Sequence, residues 1–156
     1  MPAEKLAEYL ESQGVQYTVI EHHAPVYTAQ EIAASTHIPG KQLAKTVMVK
    51  VDGGLAMAVI PASQRVNLNR LKVLVGAGKV ELASEQEFRN KFPDCQVGAM
   101  PPFGNLYGIP VYAAQDLAEE IEIAFCAGSH TELVRIAFSD FKRLAEPRIL
   151  DFAWTP

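Results

Sequence analysis

Two apolar runs, LAKTVMVKV (Leu43–Val51) and LAMAVIPA (Leu55–Ala62), meet at Asp52-Gly53-Gly54. Runs rich in Val, Ile and Met form strands, and a two-residue turn at Asp52-Gly53 or Gly53-Gly54 closes them into a tight antiparallel hairpin. Within the first run, Leu43, Lys45, Val47, Val49 and Val51 share one face, while Ala44, Thr46, Met48 and Lys50 share the other. Lys50 lies on the more polar side. Lys45 is in phase with Leu and Val. An ammonium among apolar side chains must snorkel to water, find partners or shift its pKa. Snorkelling at a sheet edge is the plain explanation; a cation placed at the mouth of a small pocket is the functional one.

The remaining elements follow from periodicity and caps. A first helix is predicted over Ala3–Gln13, with Leu6 and Leu10 inward and Gly14 as its stop. VQYTVIEH (Val15–His22) alternates like a strand. Thr28 to Glu31 matches a capping box, so a short helix covers Ala29–Thr36. After the hairpin, VNLNRLKVLVGAG reads as helical, with Asn67 as N-cap and Leu68, Leu71 and Leu74 or Val75 inward. Ser84 to Glu87 forms a second capping box, opening a helix to about Phe92. The chain then turns β-rich through YGIPVYAA, EIEIAFCAG and ELVRIAFS. In the middle strand Ile121, Ile123 and Phe125 alternate against Glu120, Glu122 and Ala124. Ser139 is placed to cap a last helix, DFKRLAE, stopped by Pro147. With no linker or repeat, residues 1–156 are expected to form a single α+β domain. Its mixed β-sheet is strongly curved or closed, barrel-like, with helices packed outside.

Charge narrows the function classes. The net charge of −4 argues against indiscriminate coating of nucleic acid, which depends on phosphate neutralisation. The charge is uneven, however: Lys41 to Lys79 holds seven basic residues and one acid, +6, against −10 for the rest. These charges either spread over a solvated surface or form a basic face around Lys45 suited to a polyanion. No window of eighteen apolar residues is present, and the N-terminus lacks the apolar core of a secretory signal. Two cysteines, Cys95 and Cys126, are too few for a disulfide scaffold, so a reduced, cytoplasmic setting is expected.

Two loops compete as sites. GAMPPFG (Gly98–Gly104) combines two glycines that permit positive φ with two prolines that fix φ. It is either a rigid connector or a stiff bend whose amides, such as those of Ala99 and Met100, face a ligand carbonyl or carboxylate. CAGSHTE (Cys126–Glu132) offers small residues for close approach, and His130 as a proton carrier, a hydrogen-bonding wall or a solvent-facing loop residue. A metal site on Cys126 and His130 needs Cys95 or His22 and His23 as well, without CxxC or HExxH spacing to support it. VGAGKV lacks the spacing of a phosphate loop, and Gly76 and Gly78 read as a helix stop. His22, His23 and His37 read as surface or loop residues and Cys95 as a core thiol.

Three strings, LAKTVMVK, VGAMPPFG and FCAGSHTELVRI, in that order and at these separations, resemble the YbaK/EbsC family. That family comprises free-standing editing domains related to the insertion domain of bacterial prolyl-tRNA synthetase. RVNLNRLK and VELASEQE are similar to its intervening segments, so the resemblance covers roughly residues 20–150. It implies an α+β fold around a mixed barrel and hydrolysis of the ester between a wrong amino acid and tRNA. The family's lysine falls on Lys45, its Gly-rich Pro-Phe-Gly loop on Gly98–Gly104 and its pocket glycine on Gly128. His130 sits where several relatives carry a polar pocket residue. Pro101 stands where many relatives have Ser or Thr, which weakens any role for a loop hydroxyl. The expected catalytic set is thus Lys45, Gly98, Ala99 and Met100. The expected substrate contacts are Thr46, Pro102, Phe103, Gly104, Gly128, Ser129 and His130, with no metal or cofactor. The implied partners are the acceptor end of mischarged tRNA and an aminoacyl-tRNA synthetase. The competing reading keeps the fold as a tRNA- or synthetase-binding module without catalysis. An aminoacyl ester is already activated, so positioning and oxyanion stabilisation are the main requirements.

Overall fold

The computed structural model describes residues 4–21 and 29–156. Ala3 of the first helix, the His22-His23 pair and Thr28 of the first capping box lie outside them. Helix α1 (Glu4–Ser12) buries Leu6 and Leu10 and precedes strand β1 (Thr18–Glu21). Helix α2 (Ala29–Thr36) leads into the hairpin of β2 (Leu43–Val51) and β3 (Gly54–Pro61). Val51 pairs with Gly54, so the turn is Asp52-Gly53, with both residues at positive φ. That geometry suits the right-handed twist of the flanking strands. The Asp52 carboxylate also accepts from the amides of Gly78 and Lys79 at 2.9 and 2.8 Å, tying the turn to the following segment.

Beyond β3 come β4 (Arg65–Val66), α3 (Leu68–Val75), β5 (Val80–Leu82) and α4 (Glu85–Phe88). Asn67 caps α3 through its side chain, and Gly76 ends it in the left-handed region at φ 71°. The helix expected to reach Phe92 is α4 followed by a 3-10 turn, Arg89–Lys91. The C-terminal part holds β6 (Val111–Ala114), β7 (Glu122–Ser129), β8 (Glu132–Ala137), α5 (Phe138–Ala145), β9 (Arg148–Leu150) and β10 (Ala153–Trp154). Ser139 does not cap α5. It lies inside the helix, whose first amide, Phe138 N–H, donates instead to the Ile121 carbonyl at 2.8 Å.

The main sheet has the order β1-β8-β7-β2-β3-β6-β9, with β5 on β2; β10 and β4 form a separate pair. Pairing is mixed: β7 on β2, β6 on β3 and β9 on β6 are parallel, the rest antiparallel. The order ends at β1 and β9, so the sheet is open and the closed, barrel-like alternative does not hold. The alternation expected of β7 also fails at both ends of its pattern. Ile121 precedes the strand and is 87% exposed, whereas Ala124 is buried because both faces of the sheet are covered. No helix of the described residues is long and apolar enough to cross a membrane.

Three apolar clusters account for the core. The largest joins Leu6 and Leu10 of α1, Ala44 and Met48 of β2, Phe103, Phe125 and Phe141. On the opposite face of β2 there are two clusters. One gathers Leu43 with Ile32 and Ala33 of α2; the other gathers Val49 with Ile60 and Leu71 of α3. Lys45 falls between them. The lysine that broke the apolar phase thus occupies the strip of β2 left between the ground covered by α2 and that covered by α3.

Candidate active site

A second discontinuity coincides with the first. Strand β7 pairs with β2 only at Leu43↔Ala124 and Ala44↔Phe125, and β5 joins the same strand only from Val49. Between these ladders β7 veers away through a bulge at Cys126–Ser129, where Gly128 adopts φ 100°. Such a φ is readily reached only by glycine. The detached stretch bonds to the Gly98 loop instead: Gln96 N–H donates to the Gly128 carbonyl at 2.7 Å, and Gly128 N–H to the Ala99 carbonyl at 2.9 Å.

The gap is a small pocket with a cavity volume of about 30 Å³, lined by Lys45, Thr46, Gly98, Met100, His130, Ile32, Leu43, Ala44 and Cys126. The first five were expected from sequence. Ile32, Leu43, Ala44 and Cys126 were not assigned to it; Leu43 shares the face of Lys45, but Ile32 comes from a helix whose packing over β2 leaves no local signal. Among the described residues no three His, Cys, Asp or Glu side chains converge as a metal site would require.

Lys45 is half-buried, and its Nζ is 3.4 Å from the Ala62 carbonyl. Burial strips water from the ammonium and the Arg65 guanidinium repels it, so its pKa is held below the usual lysine value. Burial pushes the Cys126 thiol up to about 11, leaving it a neutral wall at neutral pH. His130 acts as a latch on the loop. Its amide donates to Gln96 Oε1 at 2.9 Å, and its Nε2 donates to the Val97 carbonyl at 2.9 Å. The ring lies against Gly98, where an added Cβ would stand 3.4 Å from Cε1.

The proline-stiffened loop divides into two parts. Gly98, at φ 84°, and Met100 reach the pocket. Pro102, Phe103 and Gly104 do not: they are buried, and Phe103 makes edge-to-face contacts with Phe125 and Phe141 at 5.7 and 5.6 Å. Gly104 packs so closely that an added Cβ would meet Val111 Cγ2 at 2.8 Å. The Ala99 amide is not free either, since it donates to the Gln96 carbonyl at 3.0 Å. Gly98 N–H faces only the Met100 sulfur at 3.3 Å, a weak acceptor, and the Met100 amide has no partner among the described residues. Gly128 shapes the opening through its backbone, and the Ser129 hydroxyl sits 3.2 Å from that of Thr131; neither lines the pocket.

The basic segment is partly neutralised on folding. Lys50 pairs with Glu81 and Glu87 at 3.3 and 2.6 Å, Lys79 with Glu81 at 3.5 Å, and Arg70 with Asp151 at 3.3 Å. The hydrogen bond from Lys50, with the Ser84 amide behind it, holds the Glu87 carboxyl down at about 2. Lys41, Lys45, Arg65 and Lys72 have no carboxylate partner among the described residues. Of these four, Lys45 lines the pocket, and Arg65 stands near enough to repel its ammonium.

The chain is thus an open mixed sheet split over a lysine-bearing strand, with a glycine loop turned into the split. The aminoacyl-tRNA editing domain model matches residues 23–144, and the chain belongs to that family. It is 29% identical to the multifunctional Ser/Thr-tRNA deacylase ProXp-y of Escherichia coli K12 over 160 aligned positions, covering 97% of this chain and 93% of the relative. It is 32% identical over 103 positions to a proline–tRNA ligase of Bacillus cytotoxicus, covering 66% of this chain but only 18% of the ligase. A crystal structure of a protein assigned as a trans-editing enzyme for prolyl tRNA synthetase superposes with a TM-score of 0.85. The two are 24% identical, with 97% of this chain and 96% of that one covered.

Proposed function

We propose that this protein is a trans-editing aminoacyl-tRNA deacylase, hydrolysing the ester between an amino acid and the terminal ribose of a mischarged tRNA. The observation that carries this reading is the half-buried Lys45 lining the same pocket as Gly98 and Met100, whose amides have no strong acceptor among the described residues. Family membership and the likeness to a Ser/Thr-tRNA deacylase support it.

The reaction needs no protein nucleophile. A water oxygen, aided by the neighbouring ribose hydroxyl, bonds to the ester carbonyl carbon. Negative charge collects on the carbonyl oxygen, facing the Gly98 and Met100 amides and the Lys45 ammonium. The ester C–O bond then breaks, the ribose oxygen takes the proton released by water, and a free amino acid leaves. Preorganised donors aimed at the developing charge lower the barrier most, and losing one costs about 2–4 kcal/mol. Thr46 and the Ile32, Leu43, Met100 and Cys126 walls bound the amino-acid side chain. One methylene changes binding by only about 1–3 kcal/mol, so a narrow pocket sorts by bulk and favours small side chains. The tRNA acceptor end is the bound partner, and a synthetase that supplies the mischarged product is the second.

The test is a panel of tRNAs charged with alanine, cysteine, serine, threonine and proline, incubated with wild type and Lys45→Ala. At least one small-side-chain ester is expected to decay well above the buffer rate with wild type and to be slowed by the substitution. Decay of every ester at the buffer rate would leave a binding module without catalysis.

A further inference from the structure

Lys45 has two neighbourhoods. Besides the pocket above, it lines a second, larger hollow of about 250 Å³, with Val47, Ile60, Arg65, Val66, Leu68 and Leu82. Val47 and Ile60 form an apolar floor on the face of β2 and β3 beyond Lys45, and Leu68, at the start of α3, forms a wall. Leu82 lines it too and is 59% exposed, so its side chain is open to a ligand. Arg65 reaches the rim from β4 without an acidic partner among the described residues, near enough to Lys45 to depress its pKa. The hollow is thus an apolar surface that, among the described residues, carries two cations without a carboxylate partner and no lining carboxylate.

We propose that this second hollow binds the terminal nucleoside of the tRNA, base against Val47, Leu68 and Leu82, with the phosphate on its 5′ side held by Arg65. The proposal rests on the deacylase reading. Two features favour a nucleotide over a purely apolar ligand. Unpaired cations beside an apolar surface complement a molecule with a flat heterocycle and an anionic phosphate. In addition, Lys45 is common to both hollows, so a ligand filling both places the bond joining its halves at the ammonium. In an aminoacylated nucleoside that bond is the scissile ester. A lysine flanked by two unlike cavities therefore sorts one substrate into an acyl half and a nucleoside half, which neither cavity alone requires.

The experiment has two arms. In the first, wild-type protein is titrated with AMP and followed by amide chemical shifts. The shifts of Val66, Leu68 and Leu82 are expected to move, and to stop moving in Leu82→Asp, a change at an exposed side chain compatible with folding. In the second, steady-state deacylation is measured for Leu82→Asp, Arg65→Ala and Arg65→Lys, with Ile121→Ser, outside both hollows, as control. Leu82→Asp is expected to raise KM about tenfold with kcat within about twofold. Arg65→Ala is expected to raise KM and to reduce the salt slope of log KM by about one, which Arg65→Lys largely restores. The proposal is overturned if AMP up to ~10 mM leaves those amides unmoved, or if an active protein keeps its KM in both Leu82→Asp and Arg65→Ala. A wild type inactive on every ester, while AMP still marks the hollow, overturns the deacylase reading and leaves the nucleoside site standing.

Discussion

Under the proposed mechanism, Lys45 is where stability and chemistry oppose each other. Its ammonium is desolvated by burial and repelled by Arg65, and among the described residues its one hydrogen-bond partner is the Ala62 carbonyl, so its folded pKa lies below the unfolded value of 10.5. Folding therefore favours the neutral amine. The cost of burying the charge is present in full below the folded pKa and disappears as pH rises past the unfolded one. Lys45→Met keeps the stem and removes the charge, so it is expected to melt higher than wild type near neutral pH. The rise should be about 2–4 °C for each 1 kcal/mol recovered, and the gap should close towards about pH 11. Thermal melts of both proteins across that range check the sign. A residue whose removal stabilises the fold while abolishing function is one retained for its chemistry. At this scale the sequence was most informative: a lysine in phase with Leu43, Val47 and Val49 announced the anomaly. Its surroundings were not legible, because Arg65 and Ala62 reach it only through the hairpin.

The Gly98–Gly104 loop shows how one element serves two ends. Its rigidity was legible from two prolines and two glycines; its division was not. Pro102, Phe103 and Gly104 are drawn into the aromatic core by contacts with Phe125 and Phe141, residues far along the chain. Only Gly98 and Met100 remain at the pocket. The two halves are expected to respond differently to substitution. Phe103→Ala is expected to destabilise the fold by about 3–5 kcal/mol, as for other fully buried aromatics. Gly98→Ala forces a side chain into φ 84° against the His130 ring, so its strain of about 1–3 kcal/mol falls on the amides proposed to face the ester. Urea unfolding and deacylation assays on both variants separate the effects: Phe103→Ala should lose mainly stability, Gly98→Ala mainly activity. The same tertiary contacts explain the other departures. Ser139 was displaced as a cap by the Ile121 carbonyl, and short strands such as β5 and β9 pair through contacts that periodicity does not report.

Across the whole molecule, the site exists because the sheet is incomplete in one place. Strand β7 leaves β2 after Ala44, β5 rejoins it at Val49, and α2 and α3 cover separate stretches of the opposite face. Class and mixed pairing could be read from the order of strand-like and helical runs. The gap beside β2 could not, because it depends on a bulge at Gly128 that one glycine permits but does not dictate. The central claim is that the cation at this gap stabilises the charge formed on the ester. It is tested most directly by single-turnover deacylation of one small-side-chain aminoacyl-tRNA, saturated with wild type or with folded Lys45→Met. A loss of about 2–4 kcal/mol in transition-state stabilisation slows the step about 30- to 1000-fold. A Lys45→Met protein that melts as high as wild type and cleaves the ester at the wild-type rate would contradict it.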